Sequence, residues 1–169
     1  MQPLMTYEYL SKARARLLDW VRPLSSEQYL QVFPIGLGTL GRTLTHIMIC
    51  EYAYVRRIAQ QSVPPYGEWP IQDEKPPAFG VLEAAWLEQA KLTRATLAAV
   101  QDWTSEIEYQ VGEEGKRVNI TASRGEIFTQ LAFHEVHHRA QAMNMLRRLG
   151  VAAEDLDYNT LMYRRRPVS

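Results

Sequence analysis

One cysteine, Cys50, in a chain of 169 residues leaves no partner for an internal disulfide. The N-terminus, Met1-Gln2-Pro3-Leu4-Met5-Thr6-Tyr7, lacks a basic start followed by an apolar run, so nothing marks the chain for export and a cytoplasmic protein is expected. Every apolar stretch is broken by Arg, Glu or His well before the ~20 residues that a membrane span requires. Neither sign of charge is in excess, with 19 Lys plus Arg against 19 Asp plus Glu, so no broad basic field exists to hold a phosphate backbone. These absences point away from secretion, membranes and nucleic acid. A hydrophobic content of 46% then supports one globular domain over residues 1–169, without internal repeats or low-complexity segments.

Helical periodicity dominates. Leu10, Ala13, Leu17, Leu18 and Val21 recur at helical intervals from Thr6 to about Arg22, and Pro23 follows. Thr39 is placed to cap a second helix through Leu44, Ile47, Met48, Val55 and Ile58, which ends near Gln61. Five prolines between Ser62 and Pro77 forbid further helix, and neither flank could bury a separate core, so this stretch reads as a crossover. A third amphipathic helix spans Ala78 to about Trp103, with Trp20, Trp86 and Trp103 falling on core stripes. The period then changes. Ile107, Tyr109 and Val111 alternate with polar residues, Gly112-Glu113-Glu114-Gly115 turns the chain, and Val118 and Ile120 alternate again, which predicts a β-hairpin. Ser123-Arg124-Gly125-Glu126 matches a capping box for a last long helix that stops at Gly150. The tail from Asp157 to Arg166 adds a short helix, and Arg164-Arg165-Arg166 reads as a solvated terminus. The expected fold is an all-α four-helix bundle with one long crossover loop and a short β-hairpin before the last long helix.

Within that last helix, His134 and His138 lie one turn apart, about 40° from each other around the axis, so both imidazoles can bind one metal ion. Stepping about 100° per residue places Ile127, Leu131, Met145 and Leu149 around them, which centres the pair on the apolar stripe. Glu135 and His137 fall on opposite flanks, and Arg139 points farther out. Two buried imidazoles need partners, and one divalent ion supplies a partner for both. His46 is the only remaining histidine able to add a third ligand from another helix. Three protein ligands leave a coordination position for water or substrate, as catalytic sites require.

Other readings compete. His134-Glu135-Val136-His137-His138 formally fits the zincin pattern, with Glu135 as base and Glu154, Asp155 or Asp157 available downstream, but a substrate-binding sheet is missing. Gly36-Leu37-Gly38-Thr39-Leu40-Gly41 fits a dinucleotide fingerprint, but Pro34 sits where a central strand is needed, so a helix-entry loop is preferred. Cys50, four residues after His46, shares its face and could approach the metal, although a buried free thiol is the commoner fate. Thr39, Thr43, Cys50 and Ala53 could leave open space beside the metal where substrate enters. Arg42 and Arg57 lie near the same face and could steer a carboxylate, though long cations usually reach for water.

One histidine within Thr39-Leu40-Gly41-Arg42-Thr43-Leu44-Thr45-His46, followed by His-x-x-x-His in His134-Glu135-Val136-His137-His138-Arg139-Ala140-Gln141, resembles the DinB/YfiT-like family of bacterial metal-binding bundles. The proline-rich crossover, the hairpin and the closing segment Leu149 to Tyr158 are similar too. The resemblance implies His46, His134 and His138 on one divalent cation, zinc or nickel, and a homodimer. It also implies thiol-dependent transferases or isomerases among the relatives. The expected function is therefore a metal-dependent enzyme, a thiol-dependent transferase that activates a small thiol at a three-histidine centre, with Glu135 as proton acceptor or else exposed to solvent. A metal-dependent hydrolase and a non-catalytic metal-binding stress-response protein are the alternatives. A dimer is expected independently, because Leu44, Ile47, Met48, Ile49, Val55 and Ile58 spread over more than one side of the second helix.

Overall fold

The computed structural model describes residues 2–112, 115–164 and 166. Four long helices pack together: α1 (Pro3–Val21), α3 (Leu40–Ile58), α4 (Phe79–Ala99) and α5 (Arg124–Arg148). Short helices α2 (Ser26–Leu30) and α6 (Tyr158–Met162) flank them, and a 3-10 turn spans Tyr66–Glu68 in the crossover. Strands β1 (Glu106–Val111) and β2 (Val118–Ser123) pair antiparallel, with Ile107 opposite Ala122, Tyr109 opposite Ile120 and Val111 opposite Val118. Glu113 and Glu114 of the expected turn, and Arg165 of the basic tail, lie outside the described residues.

Local chemistry sets the boundaries. Pro3 occupies the first turn of α1, where its missing N–H costs nothing, so the helix begins three residues before the periodicity alone suggested. Thr39 caps α3 by accepting from the Arg42 N–H, and Ser123 and Glu126 form the reciprocal box expected for α5. Gly150, at φ +81°, closes α5: its N–H donates to Arg147 and that of Val151 to Leu146. Helix α4 stops at Ala99, short of Trp103, because Asp102 accepts from the Thr104 N–H and hydroxyl and turns the chain. Helix α2 is announced by its own capping box, Ser25 with Gln28, a signal too short for periodicity to register.

α3 packs against α5, α4, α2 and β1. Leu44, Ile47, Met48, Ile49, Val55 and Ile58 are all buried within the chain. The apolar breadth of α3 is therefore consumed internally, and the ground it offered for a dimer falls. Being enclosed on several sides requires a helix to be apolar on several sides.

The core has two apolar clusters. One gathers Leu17, Leu44, Met48, Trp86 and Leu146; the other gathers Tyr7, Leu10, Val55, Leu97, Ile127 and Phe128. Each long helix also buries polar side chains near the boundary of the two sets: Arg14 on α1, Glu51 on α3, Gln89 and Thr93 on α4, Glu135 and Arg139 on α5. Arg14 Nη2 lies 2.6 Å from Glu135 Oε2 and 2.8 Å from Glu51 Oε2. Glu51 also accepts from the hydroxyls of Tyr7 and Thr93, both at 2.6 Å, and from the Trp86 indole at 2.9 Å. The expectation that Arg139 points outward is corrected: it is buried, and its Nη2 donates to the Tyr9 hydroxyl.

Candidate metal centre

His46 on α3 and His134 and His138 on α5 bring one ring nitrogen each into a group whose atoms all lie within 4.8 Å of one another. The nearest pair, His46 Nε2 and His134 Nε2, is 3.1 Å apart. A tetrahedral ion with metal–nitrogen bonds of about 2.0–2.1 Å holds its ligand atoms roughly 3.3 Å apart, so the spacing suits a shared ion. The donor set fits as well.

Two of the three rings are held from behind. His46 Nδ1 lies 3.0 Å from Asp73 Oδ2, and the other Asp73 oxygen accepts from the Tyr66 hydroxyl at 2.5 Å. With its Nδ1–H donated to a carboxylate, His46 presents the lone pair of Nε2 toward His134. His138 Nδ1 similarly donates to Gln141 Oε1 at 2.8 Å, while Gln141 Nε2 donates to His137 Nε2 at 2.9 Å. His134 packs edge-on against the Tyr54 ring, with centroids 5.9 Å apart. Burial, reinforced by His138 and His46, pushes the His134 pKa down to about 3; burial also lowers His138, against the opposing effect of Gln141. Both rings are thus neutral near pH 7, the form that binds metal.

Asp73, Tyr66 and the role of Gln141 were missed by the sequence reading. A crossover has no period, so nothing in spacing connects Asp73 to a histidine 27 positions earlier. Gln141 was accessible in principle, since it lies three residues after His138 on the same helix. The glycine-rich entry loop gains a reason here. A Cβ on Gly36, whose φ is +48°, would lie 2.2 Å from Gln141 Oε1, so a side chain there would displace the group that orients His138.

The other expected residues separate from the site. Glu135 is only 2% exposed and its carboxylate is engaged by Arg14, which corrects its placement as an exposed residue or a proton acceptor beside the histidines. One step of about 100° from His134 turns it into the bundle's polar layer. The zincin reading loses its base for the same reason, and Glu154, Asp155 and Asp157 are not in the ligand group. Cys50 Sγ lies 3.6 Å from His46 Nε2, yet stands outside that group; burial, then Asp73, raise its thiol pKa to about 12. Thr43 and Ala53 are buried rather than lining an entrance, Arg42 is exposed, and Arg57 stacks over the rings of Tyr54 and Tyr109. His137 is exposed, as its flank position implied. The three histidines are only partly buried, and the His46 side chain remains 26% exposed.

If Asp73 orients His46, Asp73→Asn should weaken divalent-metal affinity by about 10–100-fold while leaving the thermal unfolding of metal-free protein close to wild type. Competition with a chromophoric chelator measures the first, and unchanged affinity would show that the contact is incidental.

A helical bundle carrying a three-histidine group able to hold a metal defines the class. The chain belongs to the DinB family, whose pattern it matches over residues 1–166. No curated protein matches it. Among the described residues, no helix is long and apolar enough to cross a membrane.

Proposed function

We propose that the protein is a metal-dependent enzyme that uses His46, His134 and His138 to hold one divalent ion, zinc or nickel, and acts as a thiol-dependent transferase on a small-molecule substrate. The observation that carries this reading is the convergence of three ring nitrogens from two helices, partly open to solvent, with His46 and His138 fixed from behind. Three neutral imidazoles add no negative charge, so the bound ion would keep its full +2 charge and lower the pKa of a thiol placed on it. The chain's own contribution is orientation. Asp73 sets the tautomer of His46, Gln141 that of His138, and burial keeps His134 unprotonated. Proton acceptance is left to solvent on the exposed side, because Glu135 and Glu51 are engaged by Arg14, and Asp73 by His46 and Tyr66.

That engagement of the carboxylates also favours a second reading, a metal-binding protein without catalysis, since a turnover site ordinarily keeps an acid or base within reach. Cobalt-substituted protein separates the two. Adding a small thiol should create a sulfur-to-metal charge-transfer band that grows with pH and is absent in His134→Ala. A spectrum indifferent to every thiol, with hydrolysis of an ester or amide panel, would establish the hydrolase alternative. Indifference to thiols without turnover would leave the binding reading.

A further inference from the structure

A groove of about 1000 Å3 runs between α1 and α4, lined by none of the three histidines. The positions that would fill it hold small residues, Ala15 on α1 and Ala84, Ala90 and Ala95 on α4, and the buried Leu18 and Trp86 form its floor. Its charge is uneven in a chain of zero net charge: Arg14, Arg22, Lys91 and Arg94 line it against one carboxylate, Glu83. Three of the four cations already have counterions. Arg14 is held by Glu51 and Glu135, Arg22 by Asp19 and Glu83, and Lys91 by Glu88. Arg94 is exposed, and among the described residues it has neither a hydrogen bond nor an ion pair, only the Tyr7 ring with its centroid 5.9 Å from the guanidinium carbon.

The groove is also bounded in length. Arg22 meets Glu83 at 2.6 Å and ties α1 to α4 near one end, and Arg94 stands eleven residues farther along α4, about 16 Å at 1.5 Å per residue. One acyl chain fills half of the ~30 Å hydrocarbon core of a bilayer, about 15 Å. We propose that the groove binds a single-chain carboxylate, with its head group on Arg94 and its alkyl chain laid along Ala90, Leu87 and Ala84 toward the bridge between Arg22 and Glu83. A guanidinium without a counterion matches both the charge and the two-oxygen geometry of a carboxylate. Lys91, one turn before Arg94, adds a second cation, since its contact with Glu88 is exposed on both sides and holds it only weakly. The alkyl chain covers Leu87, which is 60% exposed, and fills the trough that the alanines leave open.

Isothermal titration of the purified full-length protein with octanoate, dodecanoate and dodecyltrimethylammonium, each below its micelle concentration, is the test. A fully buried methylene is worth about fourfold in affinity, so even in a trough open on one side dodecanoate should bind at least about tenfold more tightly than octanoate. It should also bind at least about tenfold more tightly than the ammonium of equal chain length, and Arg94→Glu should remove that preference. Ala84→Trp, a substitution at an exposed position whose melting curve should stay close to wild type, should block the far end of the trough. Octanoate, too short to reach it, should bind as before, while dodecanoate loses its advantage. His134→Ala should leave dodecanoate affinity unchanged; loss of binding in that variant would place the carboxylate on the metal and overturn the proposal. Equal affinity for anion and ammonium, indifference to chain length, or undiminished dodecanoate binding in both groove variants also overturns it. Binding to vesicles of anionic phospholipid without binding of free dodecanoate would assign the cations to a membrane surface and overturn it as well.

Discussion

Alanine at His46, His134 or His138 should each strip the protein of its divalent ion, while His137→Ala should keep it. Elemental analysis after gel filtration is the measurement, with about one ion per wild-type chain expected. Loss of one ligand from three leaves two imidazoles, and metal stays loaded only where the remaining donors can hold it. Full occupancy in any of the three variants would remove that residue from the ligand set. Acid should empty the wild-type site, since protons compete with the ion for the rings. The metal-free protein has its own acid sensitivity. Folding lowers the His134 pKa from 6.5 to about 3, so that stabilisation is complete above 6.5 and is lost as pH falls toward 3. Melting curves of chelator-treated wild type and His134→Ala across this range should converge toward acid.

Arg14→Met should be the most damaging substitution to the fold. Burial opposes the charge of Arg14, but Glu135 and Glu51 outweigh it and hold the guanidinium firmly protonated. Removing the cation leaves two buried carboxylates facing each other, a loss of about 3–5 kcal/mol by analogy with broken buried ion pairs. In a chain of this size, that is a drop in melting temperature of about 6–20 °C. The pH dependence has a definite sign. Burial already raises the Glu135 pKa above its ordinary value, and without Arg14 that rise is larger. A carboxyl group with a raised folded pKa favours the folded state at low pH and disfavours it as pH rises through that value. The variant should therefore recover part of its stability on mild acidification, and adding Glu135→Gln should recover part at neutral pH. A melting temperature within two or three degrees of wild type, by calorimetry, would show that the layer contributes little.

The four long helices, the crossover and the hairpin were legible because each rests on period, proline or capping chemistry. So was the histidine group: an i, i+4 pair on an apolar stripe reports direction around a helix, and one further histidine remained to join it. What could not be read was anything that depends on which helix lies opposite. Glu135 and Arg139 look like the polar flank of an amphipathic helix until Arg14 and Tyr9 of α1 are placed against them. Asp73 is an ordinary loop aspartate until the crossover folds back onto His46. The surplus of apolar residues on α3 suggested an outer contact surface, whereas it reflects neighbours on several sides within the chain.

The polar layer has a consequence for sliding. Apolar side chains on bundle helices are broadly interchangeable partners, so two apolar clusters alone would tolerate a helix displaced along its axis by a turn, about 5.4 Å. A displacement of that size would draw Glu135 away from the one guanidinium that matches it and leave charge without a counterpart in the interior. The layer thus works as an index mark: α1, α3 and α5 are seated at one height and no other. Because Glu135 lies in sequence between His134 and His138, and Glu51 five residues beyond His46, the mark that seats the helices also brings the three imidazoles level with one another. The height of the metal centre is in this sense written in the charges on its reverse side.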